Sequence, residues 1–294
     1  MPHKTSIFLV TYEDLPELTD DDQLLLAAIE AQDCKATPVC WDDPRVSWRE
    51  ADVTVVRSTW DYIFNSGKFT EWVKSVSAQT VLVNTKQLLL WNMHKRYLID
   101  LQNRGISIIP TLMVDQWTDA HRALGKAVAE FGEQLVIKPA VSCGSHLTQL
   151  FRVSEPAGAM DAAKHLASVL TQTDALIQPL ISEVFGEGER SLVFFDGRYS
   201  HTVPKEPFRE GITPTYAKEA LTPTQTEILF SKDVLNKLPS TPMYARVDIL
   251  VRASQPLLNE LELIEPELHF RLAPGSATKL SSLLIQKGRR GKGT

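Results

Sequence analysis

The acidic run Leu258–Phe270, LNELELIEPELHF, carries the densest set of chemically able groups in the 294-residue chain. Read as a strand, its period-two alternation sends Glu260 and Glu262 to one face. Two carboxylates held side by side repel, and one is pushed towards protonation unless a dication or a basic side chain lies between them. Upstream, the apolar run YARVDILV places Arg246 and Asp248 two positions apart, so they also share a face. An Asp on one strand and a Glu pair on its neighbour make an oxygen-only cage that suits Mg²⁺, which keeps waters and shares its sphere with substrate phosphates. The same residues fit an antiparallel hairpin with an acidic solvated face and Arg246 in a surface ion pair. The acids alone leave both readings open.

Three further places bear on chemistry. Arg57–Tyr62, RSTWDY, follows the apolar strand TVV, and in an open parallel sheet ligands bind in the crevice beyond the carboxyl ends of the strands. There Arg57 offers a planar fork to a carboxylate, Asp61 can orient that fork or receive an amine, and Trp60 and Tyr62 can wall the pocket. The plainer reading is a loop closed by an Arg57 to Asp61 ion pair over Trp60. Lys95 lies near the start of a helix expected over Trp91–Arg104, the end at which the dipole disfavours a cation, which hints at an anionic partner. Lys138 ends the strand LVIKP beside the small-residue loop VSCGSHLT. A glycine-containing turn that exposes backbone N–H groups next to a lysine can hold phosphates, and it can also be an ordinary turn. Cys143 and His146 in that loop lack an orienting acid nearby, so a Cys/His nucleophile is not expected.

Composition bounds the class. With 43% hydrophobic and 23% charged residues, the chain is expected to form two or three globular units with ample core. A net charge of −5 provides no field for nucleic acid, and the basic cluster KGRRGK reads as a frayed terminus. The three cysteines, Cys34, Cys40 and Cys143, show no CxxC spacing, which argues against a disulfide framework or a structural zinc site. No apolar run has the length of a signal h-region or a membrane span. A cytoplasmic protein with neither membrane nor nucleic-acid partner is expected.

The elements that must position these groups follow from periodicity. Short strands at Ser6–Val10, Lys35–Cys40, Val53–Arg57 and Val81–Asn84 alternate with helical segments, which implies a parallel sheet flanked by helices. After Pro110 come a helix at Asp119–Phe131, strands at Gln134–Lys138 and Gln149–Val153, a helix at Met160–Leu170 and a strand from Ala175 to Ile181. A hairpin of Arg190–Phe195 and Tyr199–Val203 turns at Asp196-Gly197. The turn-rich segment Pro207–Pro223 precedes a helix at Thr224–Leu238, the carboxylate strands Met243–Val251 and Leu257–Leu263, and a closing helix at Ala277–Gln286.

Set in order, Lys95, Lys138, the small-residue loop, IQPLI followed by GEGER, Lys205, RVD and ELE resemble the ATP-grasp superfamily over roughly residues 84–272. RSTWDY, WNMHKRYL, LIQPLISEV, GERSLVFFDG and the ELE strand look like the branch that holds the cycloserine-pathway cyclo-ligase and glutathione synthetase-like proteins. The resemblance implies an α/β chain, α+β in its grasp subdomains. An N-terminal parallel-sheet substrate domain would span 1–90, a linker helix and small lid subdomain 91–174, and a C-terminal subdomain with a metal site 175–294.

Carried over residue by residue, it puts Lys95 and Lys138 on the phosphates of ATP. Gln178 and the backbone of Leu180 and Ile181 would meet the adenine and Glu189 the ribose, with Gly144 and Ser145 in the loop over the phosphates. Asp248, Glu260 and Glu262 would hold Mg²⁺, for which Mn²⁺ can substitute. Arg246 and Lys205 would be the catalytic cations, and Arg57, Ser58, Asp61 and Tyr62 would bind the small acid. Many members have Asn as the last metal ligand; this chain has Glu262, as its branch does. The segment EPFREGITPTY after Lys205 lacks the glycine pair expected there. The implied reaction activates a carboxylate as an acyl phosphate and joins it to an amine, as an amide or by ring closure. A nucleotide-binding regulator on the same scaffold is the alternative, and the presence of both lysines and all three carboxylates favours the enzyme. The implied partners are a small-molecule acid and an amine, and a homo-oligomer is compatible with the sequence.

Overall fold

The computed structural model describes residues 4–186, 188–205 and 219–291. Strands β1 (Ser6–Thr11), β2 (Lys35–Cys40), β3 (Val53–Val56) and β4 (Val81–Val83) form a parallel sheet in the order β2-β1-β3-β4, as the alternation predicts. Both faces of this sheet are covered, which is why its strands read as unbroken apolar runs. Phe8, Val10 and Val56 pack against α2 (Ser66–Val76) and a group of rings, Trp41, Trp48, Phe69 and Trp72. Ile7, Leu9, Val53 and Val55 pack against α1 (Asp20–Glu30) and, from the far end of the chain, Leu280, Leu284 and Ile285. The closing helix therefore packs onto the N-terminal sheet, in a core shared with Val193, Phe195 and Tyr244 of the C-terminal part of the chain.

Helices α3 (Lys86–Asn92) and α4 (Tyr97–Asn103) lead out of this unit. The single helix expected over Trp91–Arg104 is broken, and Lys95 sits in the break with its N–H donated to Ala140 O at 2.7 Å. The cause is tertiary. Asn92 turns its buried amide into the backbone of a distant strand, donating from Nδ2 to Leu261 O at 2.8 Å and accepting from Leu263 N at 2.8 Å. Tyr97 accepts at its hydroxyl from Leu261 N at 3.0 Å. Gly105, with φ +90°, closes α4 as predicted.

The second sheet is antiparallel, ordered β5-β8-β6-β7, from β5 (Leu112–Val114), β6 (Gln134–Pro139), β7 (Gln149–Arg152) and β8 (Ala175–Pro179). Helices α5 (Ala120–Phe131) and α6 (Pro156–Leu170) cover one face through Leu124, Ala127, Leu166 and Val169 against Leu135, Ile137 and Ile177. Because β8 pairs with β5 and β6, this sheet extends past the boundary expected at residue 175, to Pro179.

The third sheet, also antiparallel, is ordered β10-β9-β11-β12, from β9 (Arg190–Phe195), β10 (Arg198–Pro204), β11 (Tyr244–Arg252) and β12 (Gln255–Glu262). Asp196 and Gly197 take φ of 50° and 70° in the hairpin turn, where glycine at the second position relieves the left-handed strain. Helix α7 (Gln225–Asn236) starts at a Thr224/Glu227 capping box and packs with α4 on the apolar face of this sheet, made by Leu192, Phe194, Ala245, Val247, Ile249 and Leu261. Helix α8 (Ser276–Gly291) then returns to the first sheet. Gly288 permits that approach, since a Cβ there would meet Val53 Cγ2 at 2.9 Å and Thr5 Cγ2 at 3.0 Å. Most of the segment 207–223 lies outside the described residues, Arg209 included.

Asn92→Ala should strand Leu261 C=O and Leu263 N–H in the interior and cost about 2–5 kcal/mol, since each buried unsatisfied group costs about 1–3 kcal/mol. Urea unfolding measures it, and a change within about 0.5 kcal/mol, the range of a neutral surface substitution, would show that this latch does not hold the helix break.

Candidate active site

The polar face of the third sheet gathers the acids. In the register of β11 and β12, Arg246 stands opposite Glu262 and Asp248 opposite Glu260, so all four side chains leave the sheet on one side. A bulge between the Asp248 and Ile249 pairs resets the alternation, which lets Leu258 and Leu261 both face the core. Arg246 donates from Nε to Asp248 at 2.9 and 3.1 Å and from Nη2 at 2.9 Å, and Nη2 also meets Glu262. Lys95 reaches Glu260 from the broken helix and donates to Ser142 O at 3.0 Å. On β9, Ser191 lies opposite Asp248, and at the strand's start Glu189 faces Lys205 at 3.5 Å. Glu189 is drawn upward by burial, against the pull of Lys205.

Charge crowding decides the protonation of this face. Burial raises Glu262, and Asp248, Glu260 and Glu265 add to it against the pull of Arg246. Burial would raise Glu260 too, but Lys95 and Lys138 draw it well down. Lys138 comes from the second sheet. It shares a face with Gln178, the face opposite α5 and α6, and makes no hydrogen bond to any described residue. Burial lowers it from 10.5 to about 8, with Glu260 pulling the other way. Beside it, Gly144, Ser145 and Leu147 take φ of 56°, 61° and 52°, left-handed positions of the kind from which anion-binding turns are built. The loop rests on the first unit through Cys143 Sγ, which donates to Trp60 O at 3.2 Å, and through His146 against the Phe64 ring. Burial pushes the Cys143 thiol far up, so no thiolate forms, in line with the sequence reading.

Several of the residues expected to bind ligands already have partners within the protein. Arg57 is 1% exposed. Its Nε donates to Asp22 at 2.9 Å, its Nη2 to Pro266 O at 2.8 Å, and its guanidinium lies 5.2 Å from the Tyr244 ring centroid. It is a clamp between units, and its ion pair is with Asp22 and not with Asp61. Asp61 instead accepts from Trp41 Nε1 at 2.8 Å. Ser58 is buried within 3.4 Å of Asp22 and Thr11. Only Tyr62 of that set lines the cleft, with Asn92, Met93, Lys95, Cys143, Glu260 and Glu262. At the expected adenine edge, Gln178 Nε2 donates to Thr111 Oγ1 at 2.8 Å. Leu180 N–H is spent on Gln134 O at 2.9 Å, and Ile181 is buried with Ile109 and Leu250.

Other residues that shape the site went unread in the sequence. Asp21 accepts from the N–H groups of Phe270 and Arg271 at 2.9 and 3.0 Å, and Asp22 takes Arg57, so two of the three aspartates in the first turn of α1 anchor the segment after β12. Asn84 donates to Tyr244 O and Leu263 O, both at 2.9 Å. Glu265 lines the cleft, but it lies three residues past the last strand residue, where alternation no longer assigns a face.

A family model described as the N-terminal domain of D-cycloserine synthetase DcsG matches residues 7–84. The cycloserine biosynthesis protein DcsG of Streptomyces lavendulae is 29% identical over 271 residues, 85% of this chain and 88% of that protein. The crystal structure of D-cycloserine synthetase DcsG matches with a TM-score of 0.89 at 27% identity, over 96% of this chain and 99% of that one. ATP-grasp ligase PsnB, solved with a minimal precursor, Mg and ADP, shares the fold with a TM-score of 0.65 at 14% identity, over 97% of this chain and 98% of that one. The chain resembles the synthetase along nearly its whole length and has the fold of the ATP-grasp ligases. Its first unit, which the family model covers, supplies the clamp at Arg57 and the cleft wall at Tyr62.

If Lys138 meets a nucleotide phosphate in the ligase, nucleotide binding must take up protons. Lys138 loses its proton from the folded chain at about 8, so at that pH a polyanion that restores its charge draws in about half a proton, and more towards pH 9. Calorimetry of ATP binding in buffers of different ionisation enthalpy should show this uptake and its loss in Lys138→Met. Equal uptake in both proteins would remove Lys138 from the phosphates.

Proposed function

We propose that the ligase activates the carboxylate of a small amino acid as an acyl phosphate and joins it to an amine, within one molecule or between two. The observation that carries this reading is the register that sets Arg246 and Asp248 against Glu262 and Glu260 on one sheet face, with Lys95 joined to it and Lys138 close by. A carboxylate oxygen attacks the γ-phosphorus and ADP leaves; the amine then attacks the carbonyl carbon and phosphate leaves. Such transfers ask little covalent chemistry of the protein and much positioning and charge neutralisation.

Each residue's part follows from its present bonds. Arg246 is held rigidly by Asp248, so its fork is fixed for a transferred phosphoryl oxygen. Lys95, tethered to Ser142 O, and Lys138, whose charge burial disfavours, both gain from an anion placed between them. Gly144 and Ser145 add backbone N–H groups, Gln178 edges the base, and Glu189 with Lys205 takes the ribose side. Asp248, Glu260 and Glu262 would hold Mg²⁺ or Mn²⁺, which would neutralise phosphate charge. The donor set fits, being all carboxylate oxygen on one face, although among the described residues no three such groups now converge as ligands. Lys95 and Arg246 occupy them, and an ion would compete with those cations.

D-cycloserine is a cyclised amino acid, and the likeness to the synthetase named for it supports an amino-acid substrate and makes intramolecular closure the first case to test. The chain would do this in the cytoplasm; among the described residues no helix is long and apolar enough to cross a membrane. The catalytic reading is preferred to a regulator without turnover because the relatives are ligases.

The direct experiment is ADP release screened over amino acids and small acids, singly and in pairs. In the same assay Glu262→Gln should lower kcat by at least about a hundred-fold, as loss of a transition-state contact does. Its thermal stability should hold or rise, because the folded chain disfavours the ionised form of Glu262 at neutral pH and the neutral amide removes that cost. A variant that loses stability while keeping its activity would mark these strands as a structural hairpin.

A further inference from the structure

Glu265 is the one acid at the cleft for which the reaction above has no use. Its backbone is fixed from three sides: Tyr244 O–H lies 2.9 Å from Ile264 O, Trp60 Nε1 donates to Glu265 O at 3.5 Å, and Arg57 Nη2 donates to Pro266 O at 2.8 Å. The side chain lines the same cleft as Tyr62, Lys95, Cys143, Glu260 and Glu262, yet the residue is only 7% exposed. Every other carboxylate there has its own cation: Glu260 has Lys95, Asp248 and Glu262 share Arg246, and Glu189 has Lys205. No described residue forms a hydrogen bond or an ion pair with the Glu265 carboxylate; its own backbone N–H is the nearest donor. Burial pushes it up to about 7, against the pull of Lys95.

A carboxylate taken out of water without a partner is costly, and packing alone offers no reason to keep one here when side chains of two units are bonded to the backbone on either side of it. A cationic ligand group resolves the cost. Glu265 lies three residues beyond the strand that carries Glu260 and Glu262 and lines one cleft with them, together with Tyr62, Met93, Cys143 and Ile264. We propose that Glu265 is the subsite for the α-ammonium group of the amino acid whose carboxylate is activated at the Asp248 and Glu260 face. This rests on the ligase reading above, and it replaces Arg57, which the fold buries, and Asp61, which accepts from Trp41, as the source of substrate recognition. An ammonium brings three N–H donors, enough to meet the carboxylate and still bond to the cleft wall.

The test takes the amino acid that gives most ADP release from a panel of both enantiomers and compares it with the des-amino acid of the same skeleton. The native ligase should prefer the amino acid strongly. Glu265→Gln should raise KM for the amino acid by about ten- to hundred-fold, the loss expected for a hydrogen bond to a charged group, with KM for ATP and the Mg²⁺ requirement unchanged. Its preference over the des-amino acid should collapse to the same extent, and Glu265→Asp should restore part of it. Unchanged discrimination in Glu265→Gln overturns the proposal, as does a shifted Mg²⁺ requirement, which would make Glu265 a metal ligand. Should Glu265→Gln not fold, heat protection of the native ligase decides: protection by the amino acid beyond that by its des-amino acid supports the subsite, and equal protection overturns it. If no amino acid elicits ADP release from the native ligase, the amino-acid reading itself fails, a result distinct from loss of the Glu265 subsite alone.

Discussion

Like charges on paired strands repel, and everything else in this molecule is arranged around that repulsion. Asp248 and Glu260 stand opposite one another in a ladder, with Glu262 a further step along, where cross-strand side chains lie about 5 Å apart. Left alone, such a face would protonate or open. Cations come to it from several parts of the chain: Arg246 from the same sheet, Lys95 from the helix break, Lys138 from the second sheet. Convergence of the three units is thus an electrostatic requirement of the acidic face as much as a product of packing.

What brings the cations into range is a set of side chain to backbone bonds that say little in isolation. Asn92 and Tyr97 bind the backbone of β12 on both sides of Lys95, which fixes that lysine over Glu260. Asp21, Asp22 and Arg57 secure the segment beyond β12, and α8 returns to cover the first sheet. The first unit acts on the site mainly as a frame. Its buried charged residues Asp21, Asp22 and Arg57 hold the segment after β12 in place, and its direct share of the cleft is Tyr62.

The sequence was readable where structure depends on local period and on turn chemistry. Alternating apolar runs located all four parallel strands, β2 to the residue, and the period of two put Glu260 with Glu262 and Arg246 with Asp248 on common faces. The Asp196-Gly197 turn followed from the left-handed backbone it needs. Reading failed wherever the partner is remote. Arg57 looked free because Asp22 is 35 residues away and Pro266 is 209 away; nothing near Arg57 announces that it is buried. The helix over Trp91–Arg104 has sound local periodicity, and only the strand that Asn92 binds explains why it breaks. Glu265 was hidden by its position in a loop, where no period assigns a side.

The central claim is that a substrate carboxylate oxygen becomes bonded to phosphorus. Turnover of the active acid labelled with ¹⁸O in its carboxylate, followed by mass analysis of the phosphate released, tests this most directly. An acyl phosphate requires one labelled oxygen in each inorganic phosphate formed. Unlabelled phosphate, or label found in AMP, would contradict the account.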